Sequence, residues 1–236
     1  MRRTLTSGIA LLWCAAASVS AADLADIDAI QNAQNSFVSN NGGAADLQLQ
    51  LEAQLALMEH NANFALVDQI EGSGHRATID QRGDSNAAAV IQGFGNDSSA
   101  SLSQSGNGNF ALVVQQGNNN VVSTLLQAGD GNRATLTQQG NNNTAAVSQY
   151  NDNNQLSLSQ VDGFNQIQVS QYGNTRLGIV QTNANGGPGA INNLNVEAYT
   201  EPGYSPVLKQ YQQDGAGSHS VLACTGSAAY CANLTH

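Results

Sequence analysis

Polar, small and aliphatic residues alternate with a period of two through the middle of the chain. A typical unit reads Asn109, Ala111, Val113 and Gln115, with other residues at the intervening positions. Side chains at i, i+2, i+4 and i+6 lie on one face of a β-strand. The pattern therefore predicts seven-residue strands whose inward face carries an amide at each end and small or aliphatic groups between them.

The glutamine that closes this unit recurs at a nearly constant interval of about 11 residues, which indicates one repeated structural unit. Its members are Gln69, Gln81, Gln92, Gln104, Gln115, Gln127, Gln138, Gln149, Gln160, Gln171 and Gln181. The amide that opens the strand is asparagine at Asn86, Asn109, Asn132, Asn143, Asn154 and Asn165. Both ends of the predicted strand therefore keep the same repeat.

Glycine follows most of these glutamines by two positions, at Gly83, Gly106, Gly117, Gly129, Gly140 and Gly173. Asn and Asp fill much of the remaining stretch. These residue types suit tight turns that need positive φ. Each unit is therefore predicted to be one strand and one turn, and two units, about 22 residues together, complete one circuit of a solenoid.

Strands of successive circuits are expected to stack about 4.8 Å apart, which gives an all-β solenoid. Residues 63–181 supply eleven strands, or five and a half circuits, although Val121 stands where one opening amide is expected. Pairs such as Ala111 with Val113 predict a narrow core. Such a core leaves no cavity of the several hundred cubic ångströms that a small-molecule site usually needs.

The inward amides need partners, because an unpaired buried polar group costs free energy. Stacked in register, each side-chain amide donates to the copy on one side and accepts from the copy on the other, as in cross-β structures. Glutamate is a poor substitute, since two carboxylates about 4.8 Å apart repel by roughly 3.5 kcal/mol at an effective dielectric constant of about 20. These residues are therefore predicted to form hydrogen-bonded amide ladders of the cross-β type along the solenoid.

Composition adds that the chain is weakly charged and acidic. Only 10% of the residues are charged, and 7 Lys and Arg against 17 Asp and Glu give a formal net charge of -10. Phosphate binding needs clustered Lys and Arg. Nucleic acid is therefore not an expected partner.

Catalytic and metal chemistry find little support in the sequence. No Gly-x-Ser-x-Gly turn accompanies the run of Ser218, His219 and Ser220, so no catalytic residue is assigned and the protein is not expected to be an enzyme. The histidines lack the spacing of zinc ligands. They are His60, His75, His219 and His236. No metal or cofactor is predicted.

The segment 1–22 has the features of a secretory signal peptide, with Arg2 and Arg3 before an apolar stretch at 9–19. Export is expected, and because the stretch is too short to cross a bilayer, the protein is not predicted to span a membrane. The segment 23–62 is expected to be partly disordered. The alternation from Leu47 to Leu57 fits either a degenerate strand or a helix.

Residues 182–236 follow the last recognised repeat and contain Gly186, Gly187 and Pro188. The segment is predicted to be a tail of low structural content. Its cysteines, Cys224 and Cys231, are close enough in sequence to form a disulfide, which an exported environment permits.

The repeats resemble those of the curlins, the subunits of extracellular amyloid fibres in bacterial biofilms. The curlin pattern Ser-x5-Gln-x-Gly-x-x-Asn-x-Ala-x3-Gln is matched by Ser98, Gln104, Gly106, Asn109, Ala111 and Gln115. The resemblance covers residues 63–181. The stretch 76–87 is more similar to the minor, nucleating curlin than to the major one.

The resemblance implies a secreted subunit that crosses the outer membrane unfolded, with help from the curli secretion and assembly machinery. It then polymerises at the cell surface with itself or with another curlin subunit, in fibres for adhesion and biofilm matrix. Two alternatives stay open. One is a minor curlin that nucleates a separate major subunit, and the other is a secreted monomeric β-solenoid that binds a surface or glycan.

Overall fold

A computed structural model describes residues 63–183, 187, 190–204, 207–212 and 217–232. The predicted signal peptide at 1–22 lies outside the described residues. So does the segment 23–62, with its alternation from Leu47 to Leu57.

The described residues form fourteen β-strands and one short helix. The strands are β1 (Phe64–Ser73), β2 (Arg76–Arg82), β3 (Ala87–Asn96), β4 (Ser99–Ser105), β5 (Phe110–Gln116), β6 (Val121–Ala128), β7 (Arg133–Gln139), β8 (Thr144–Tyr150), β9 (Gln155–Asp162), β10 (Asn165–Tyr172), β11 (Arg176–Asn183), β12 (Asn192–Thr200), β13 (Val207–Gln212) and β14 (Gly217–Thr225). Helix α1 spans Ala228–Ala232. The predicted all-β fold is confirmed.

The strands form two parallel sheets of seven strands each. The first sheet has the order β1-β3-β5-β7-β9-β11-β13, and the second has the order β2-β4-β6-β8-β10-β12-β14. Each strand therefore pairs with the strand two units further along the chain, and one strand from each sheet makes one rung. This is the predicted solenoid.

The register aligns equivalent residues of successive rungs. In the first sheet Gln92 pairs with Gln115, and Val90 pairs with Val113. The inward small and aliphatic side chains form one continuous buried core along the axis. Ala111 and Val113 have no solvent exposure in it. The hydrophobic effect thus acts along the whole stack, and every rung buries the inward face of its neighbours.

The prediction of low structure after residue 181 is wrong. Strand β12 continues the second sheet, with Asn192 opposite Asn165 and Val196 opposite Val169. Leu194 and Val196 supply the aliphatic inward row and are fully buried. The sequence pattern did not reveal this repeat, because Ala198 stands where the closing glutamine is expected, opposite Gln171. The strand count rises from eleven to fourteen.

Strand β6 accommodates one extra residue. Its register with β4 shifts between Ala100 and Leu102, which marks a bulge in β6 near Ser123. Asn120 is consequently buried at the place of the opening amide, while Val121 pairs with Ser99 outside it. The expectation that Val121 occupies the ladder position is wrong, because the bulge lengthens this unit by one residue.

Two glycines of one turn provide a test of the stacking. Gly106 has φ 117°, and a Cβ there would overlap the carbonyl oxygen of Gly129 on the next rung. Gly108 has φ 64° and open space around it. We expect Gly108→Ala to lower the free energy of unfolding by about 1 kcal/mol through backbone strain alone. We expect Gly106→Ala to lower it by at least about 3 kcal/mol.

Denaturant titration of the two variants measures this difference. Equal losses would contradict the close contact between turns of successive rungs.

Candidate self-assembly site: the amide ladders

The first sheet contains a continuous ladder of glutamine side chains. Each Nε2 donates to the Oε1 of the next glutamine toward the C-terminus, with distances of 2.8 to 3.0 Å. The members are Gln69, Gln92, Gln115, Gln138, Gln160 and Gln181. From Gln92 onward they are fully buried.

The second sheet contains an equivalent ladder. The same donor and acceptor atoms lie 2.7 to 2.8 Å apart between Gln81, Gln104, Gln127, Gln149 and Gln171. All eleven predicted glutamines are thus members of the two ladders. Strand β13 continues the first ladder's register with Gln212 opposite Gln181, a position that the sequence pattern did not reveal.

From Gln81 onward, each glutamine amide also donates to a backbone carbonyl oxygen. Gln115 Nε2 donates to the backbone carbonyls of Ser99 and Asn120, at 3.0 Å each, as well as to Gln138 Oε1 at 2.8 Å. The ladder therefore ties each rung to the next and ties the end of one strand to the start of the following one. A buried amide with all its partners avoids the desolvation cost of an unpaired one.

Asparagines form a second set of ladders with the opposite direction of donation. Asn109 donates its backbone N–H and its Nδ2 to Asn86 Oδ1, at 3.0 and 3.1 Å, and so points toward the N-terminus. Its Nδ2 also donates to the carbonyl oxygen of Gly129 at 2.8 Å. The asparagine row therefore fixes the start of each strand and the turn beside it.

The six predicted asparagines all lie in these rows and are buried. The structure adds five members that sequence reasoning missed as ladder residues. They are Asn63, Ser98, Asn120, Thr175 and Asn192. The hydroxyls of Ser98 and Thr175 take the place of an amide, and the bulge in β6 conceals Asn120.

A third ladder runs along the exposed turns. The backbone N–H of each turn residue meets a side-chain oxygen of the next rung, as in Asp84 to Asn107, Asn107 to Asp130 and Asp130 to Asp152, at 2.7 to 2.9 Å. The signal in the sequence was the Asn or Asp that directly follows the turn glycine. Each turn is thereby held in register with the next.

The predicted turn glycines all have positive φ, from 72° at Gly173 to 129° at Gly129. Asn151 follows Gly129 in the stack and Asp162 follows Gly140, and both also have positive φ, at 63° and 66°. Asn and Asp adopt this conformation more readily than other non-glycine residues. The turn therefore survives where glycine is absent.

Three tyrosines stack along the outer face of the second sheet. The ring centroids of Tyr150 and Tyr172 are 5.1 Å apart, and those of Tyr172 and Tyr199 are 4.5 Å apart. Burial raises the pKa of the Tyr199 hydroxyl, and Tyr172 and Glu197 raise it further. The hydroxyl therefore stays protonated at neutral pH.

The C-terminal segment is held to the second sheet by a disulfide between Cys224 and Cys231. Cys224 pairs in register with Tyr199. Glu201 accepts hydrogen bonds from the backbone N–H and the hydroxyl of Ser227, just before helix α1. Strand β14 is thus fixed by contacts that the glutamine ladder does not provide.

A cavity of about 320 Å³ lies beside Ala198 and Ala223, with Leu177, Tyr199 and Thr200 in its lining. The prediction that the solenoid leaves no cavity of this size is therefore wrong at its C-terminal end. The reason is that alanine stands at two successive ladder positions, so the space that glutamine side chains occupy elsewhere is left open.

No group of three or more His, Cys, Asp or Glu in the described ranges could hold a metal ion. Helix α1 is too short to cross a membrane, and the part of the chain that the structure describes contains no longer apolar helix.

Comparison with protein-family models finds the Curlin associated repeat four times, at residues 76–106, 95–123, 106–138 and 129–161. These residues run from the start of β2 into β9. No curated protein and no solved structure matches the chain.

Neighbouring glutamines test the inward register. Gln115 is fully buried and donates to three oxygens, whereas Gln116 is half-buried and is the last residue of β5. We expect Gln115→Glu to lower the free energy of unfolding by several kcal/mol at pH 7, because a buried carboxylate would face those three acceptors. Gln116→Glu should change it by less than about 0.5 kcal/mol.

Gln138 and Gln139 form a second pair in the same relation. Thermal unfolding at pH 7 and pH 4 measures all four single variants. The buried carboxylates should be partly rescued at pH 4, since a raised pKa means that the protonated form is favoured in the folded state. Equal losses within a pair would contradict the register.

The end of the asparagine ladder provides a further test. Among the described residues, Asn192 Oδ1 is buried and has no hydrogen-bond partner, and Gly217 is in register with Asn192 on the next strand. We expect Gly217→Asn to donate to this oxygen and to raise the free energy of unfolding by about 1 kcal/mol more than Gly217→Ala does. The alanine variant is the control for backbone entropy. No difference between the two in denaturant titration would contradict the ladder's extension.

Proposed function

From the four curlin-associated repeats, and from the resemblance to the curlin family that they carry, we propose that this chain is a structural subunit of extracellular curli-type amyloid fibres. Such fibres serve cell adhesion and form part of the biofilm matrix. The observation that carries the proposal is the pair of in-register glutamine ladders, because their hydrogen-bond pattern repeats from rung to rung and can continue into another chain.

The first rung supports continuation into a neighbour. Val67 is 47% exposed, whereas its register partner Val90 has no exposure. Gln69 is exposed where Gln92 is buried. Among the described strands, β1 is the edge of its sheet, and an exposed strand edge recruits further strands.

A structural role fits the interior better than a catalytic one. The ladder amides use their donors and acceptors on each other and on backbone carbonyls, and the core between them is alanine and aliphatic. We therefore assign no catalytic residue, no metal and no cofactor. The ladder glutamines and asparagines act in self-assembly.

Export follows from the same proposal. The segment 1–22 acts as the signal peptide, the unfolded chain passes the outer membrane with the curli secretion and assembly machinery, and folding takes place at the cell surface. The disulfide between Cys224 and Cys231 suits an oxidising compartment outside the cytoplasm.

Fibre diffraction of the purified mature chain tests the proposal. We expect fibres with one reflection at about 4.8 Å and another at about 10 Å, since these are the spacings between strands and between sheets. The β-sheet signal in the circular dichroism spectrum should increase during assembly. A folded protein that stays monomeric for days at micromolar concentration would refute the fibre subunit and favour a monomeric surface- or glycan-binding solenoid. Seeding of a second curlin at low ratio would identify a nucleating subunit.

A further inference from the structure

The tyrosine row on the outer face of the second sheet contains one especially close and parallel contact. Tyr172 and Tyr199 occupy the same position of successive strands, β10 and β12. Their ring centroids are 4.5 Å apart and their planes differ by 3°, whereas the values for Tyr150 with Tyr172 are 5.1 Å and 15°. The rings of Tyr172 and Tyr199 therefore lie face to face between two successive rungs.

The hydroxyl groups of these two tyrosines lie at the same end of the pair. In-register parallel strands direct equivalent side chains the same way. In addition, a side-chain hydrogen bond with Tyr172 contributes to the raised pKa of the Tyr199 hydroxyl. The ring carbons beside each hydroxyl-bearing carbon, the ortho carbons, thus lie near their counterparts on the other ring. Ortho carbons are the positions at which phenoxyl radicals couple.

Both rings are open to a small oxidant, because Tyr172 and Tyr199 are half-buried and lie on the outer face. The chain has a single tryptophan, Trp13, and it falls within the predicted signal peptide. Tyrosine is therefore the aromatic residue of the mature chain that loses an electron most easily. The outer face also leaves room for the two rings to shift as a bond forms between them.

Glu197 is placed to take up the proton that Tyr199 releases on oxidation. The Tyr199 hydroxyl donates to Glu197 Oε2 at 3.5 Å, the long end of the hydrogen-bond range. Burial, Tyr172 and Glu197 raise the pKa of this hydroxyl, so it is protonated at neutral pH and must lose its proton when the ring loses an electron. The carboxylate of Glu197 thus provides a base beside one ring of the pair.

The pair lies at the point where the glutamine ladder of the second sheet ends. Tyr172 directly follows Gln171, and Tyr199 directly follows Ala198, which is in register with Gln171. Gln171 donates to the Thr175 hydroxyl oxygen instead. A covalent link between the tyrosines would therefore join β10 to β12 at a step that has no bond between ladder glutamines.

We propose that Tyr172 and Tyr199 form an oxidative crosslinking site, which a peroxide acting through one-electron steps converts to dityrosine. The link joins two successive rungs of one chain. It is independent of the fibre function proposed above, because both rings belong to the same molecule.

The coupling step balances as follows from the chemistry of phenols. Each ring loses one electron and its hydroxyl proton and becomes a phenoxyl radical. The two radicals form a bond between one ortho carbon of each ring, through p orbitals that point across the face-to-face stack. The hydrogen on each joined carbon then moves to the oxygen of its ring, which restores two phenols. The two electrons and two protons reduce the peroxide O–O bond, so hydrogen peroxide yields two water molecules.

The test uses the full mature chain with Tyr204→Phe, Tyr211→Phe and Tyr230→Phe, which leaves the three tyrosines of the row. The folded chain, at low concentration, is illuminated with a ruthenium tris-bipyridine complex and persulfate, a small peroxide oxidant. Monomer is then isolated under denaturing conditions. Dityrosine is detected by its fluorescence and by the loss of two hydrogen atoms from the mass of the monomer.

Digestion with trypsin locates the link. Cleavage after Arg176 separates the two rings of the pair, since Tyr172 precedes this residue and Tyr199 follows it. We expect dityrosine to join the peptides 134–176 and 177–209. A link between the first two tyrosines of the row would instead stay within the first peptide. Neither peptide contains Met, Trp or Cys, so other readily oxidised side chains do not complicate the masses.

Further Tyr→Phe changes in the same chain keep the stacked rings and remove one hydroxyl each. With Tyr150→Phe the yield of joined peptides should be unchanged. With Tyr172→Phe or Tyr199→Phe it should fall at least about tenfold, because one of the two coupling phenols is gone. In denaturant the yield from the parent chain should also fall about tenfold, since the rings are no longer held together.

Three results would each overturn the crosslinking site. They are absence of the joined peptides in the folded chain, their persistence after Tyr172→Phe, and coupling that occurs only between molecules. If circular dichroism shows that the parent variant does not fold, wild-type mature chain replaces it, and fragment ions assign the link to Tyr199 or to Tyr204. A link at Tyr204 would likewise overturn the site. Each of these results leaves the fibre function intact, because fibre formation is measured on unoxidised chain.

Discussion

The need to satisfy buried side-chain amides governs this structure. A glutamine such as Gln115 has no solvent exposure, and only the copies one rung away and the nearby backbone carbonyls can replace its water partners. A shift of one residue in any strand would turn the amide outward and break both contacts. The ladders therefore fix the register of the sheets, and the register in turn determines which aliphatic residues stack in the core.

Opposite donation in the two kinds of ladder gives each rung a direction. The glutamines donate toward the C-terminus and the asparagines toward the N-terminus, as Gln92 to Gln115 and Asn109 to Asn86 illustrate. The side-chain amides at the start and at the end of a strand therefore point in opposite directions along the axis. Within the described residues, Gln69 and Gln81 begin the two glutamine ladders and donate to Gln92 and Gln104.

Much of the fold and of the ladders could be predicted from the sequence, because the strand period of two and the longer repeat period act on the same residues. All eleven glutamines and the core pairs followed from that. The pattern failed where a local feature replaced the repeated residue. The bulge near Ser123 moved the opening amide to Asn120, and Ala198 hid a strand whose aliphatic row was intact. Burial of Leu194 and Val196 maintains β12 without its glutamine.

Strand β12 shows that the aliphatic row and the amide row of the repeat have different roles. The aliphatic row is sufficient to add a strand to the sheet, since β12 keeps full register with β10 after the glutamine is lost. The amide row pairs the buried polar groups of one rung with those of the next. Strand β12 retains the aliphatic row but has Ala198 in place of the ladder glutamine. The last glutamine of that ladder, Gln171, donates instead to the Thr175 hydroxyl oxygen. In the proposed fibre, the residues that stabilise a strand and the residues that pair with a neighbouring rung are therefore different positions of the same strand.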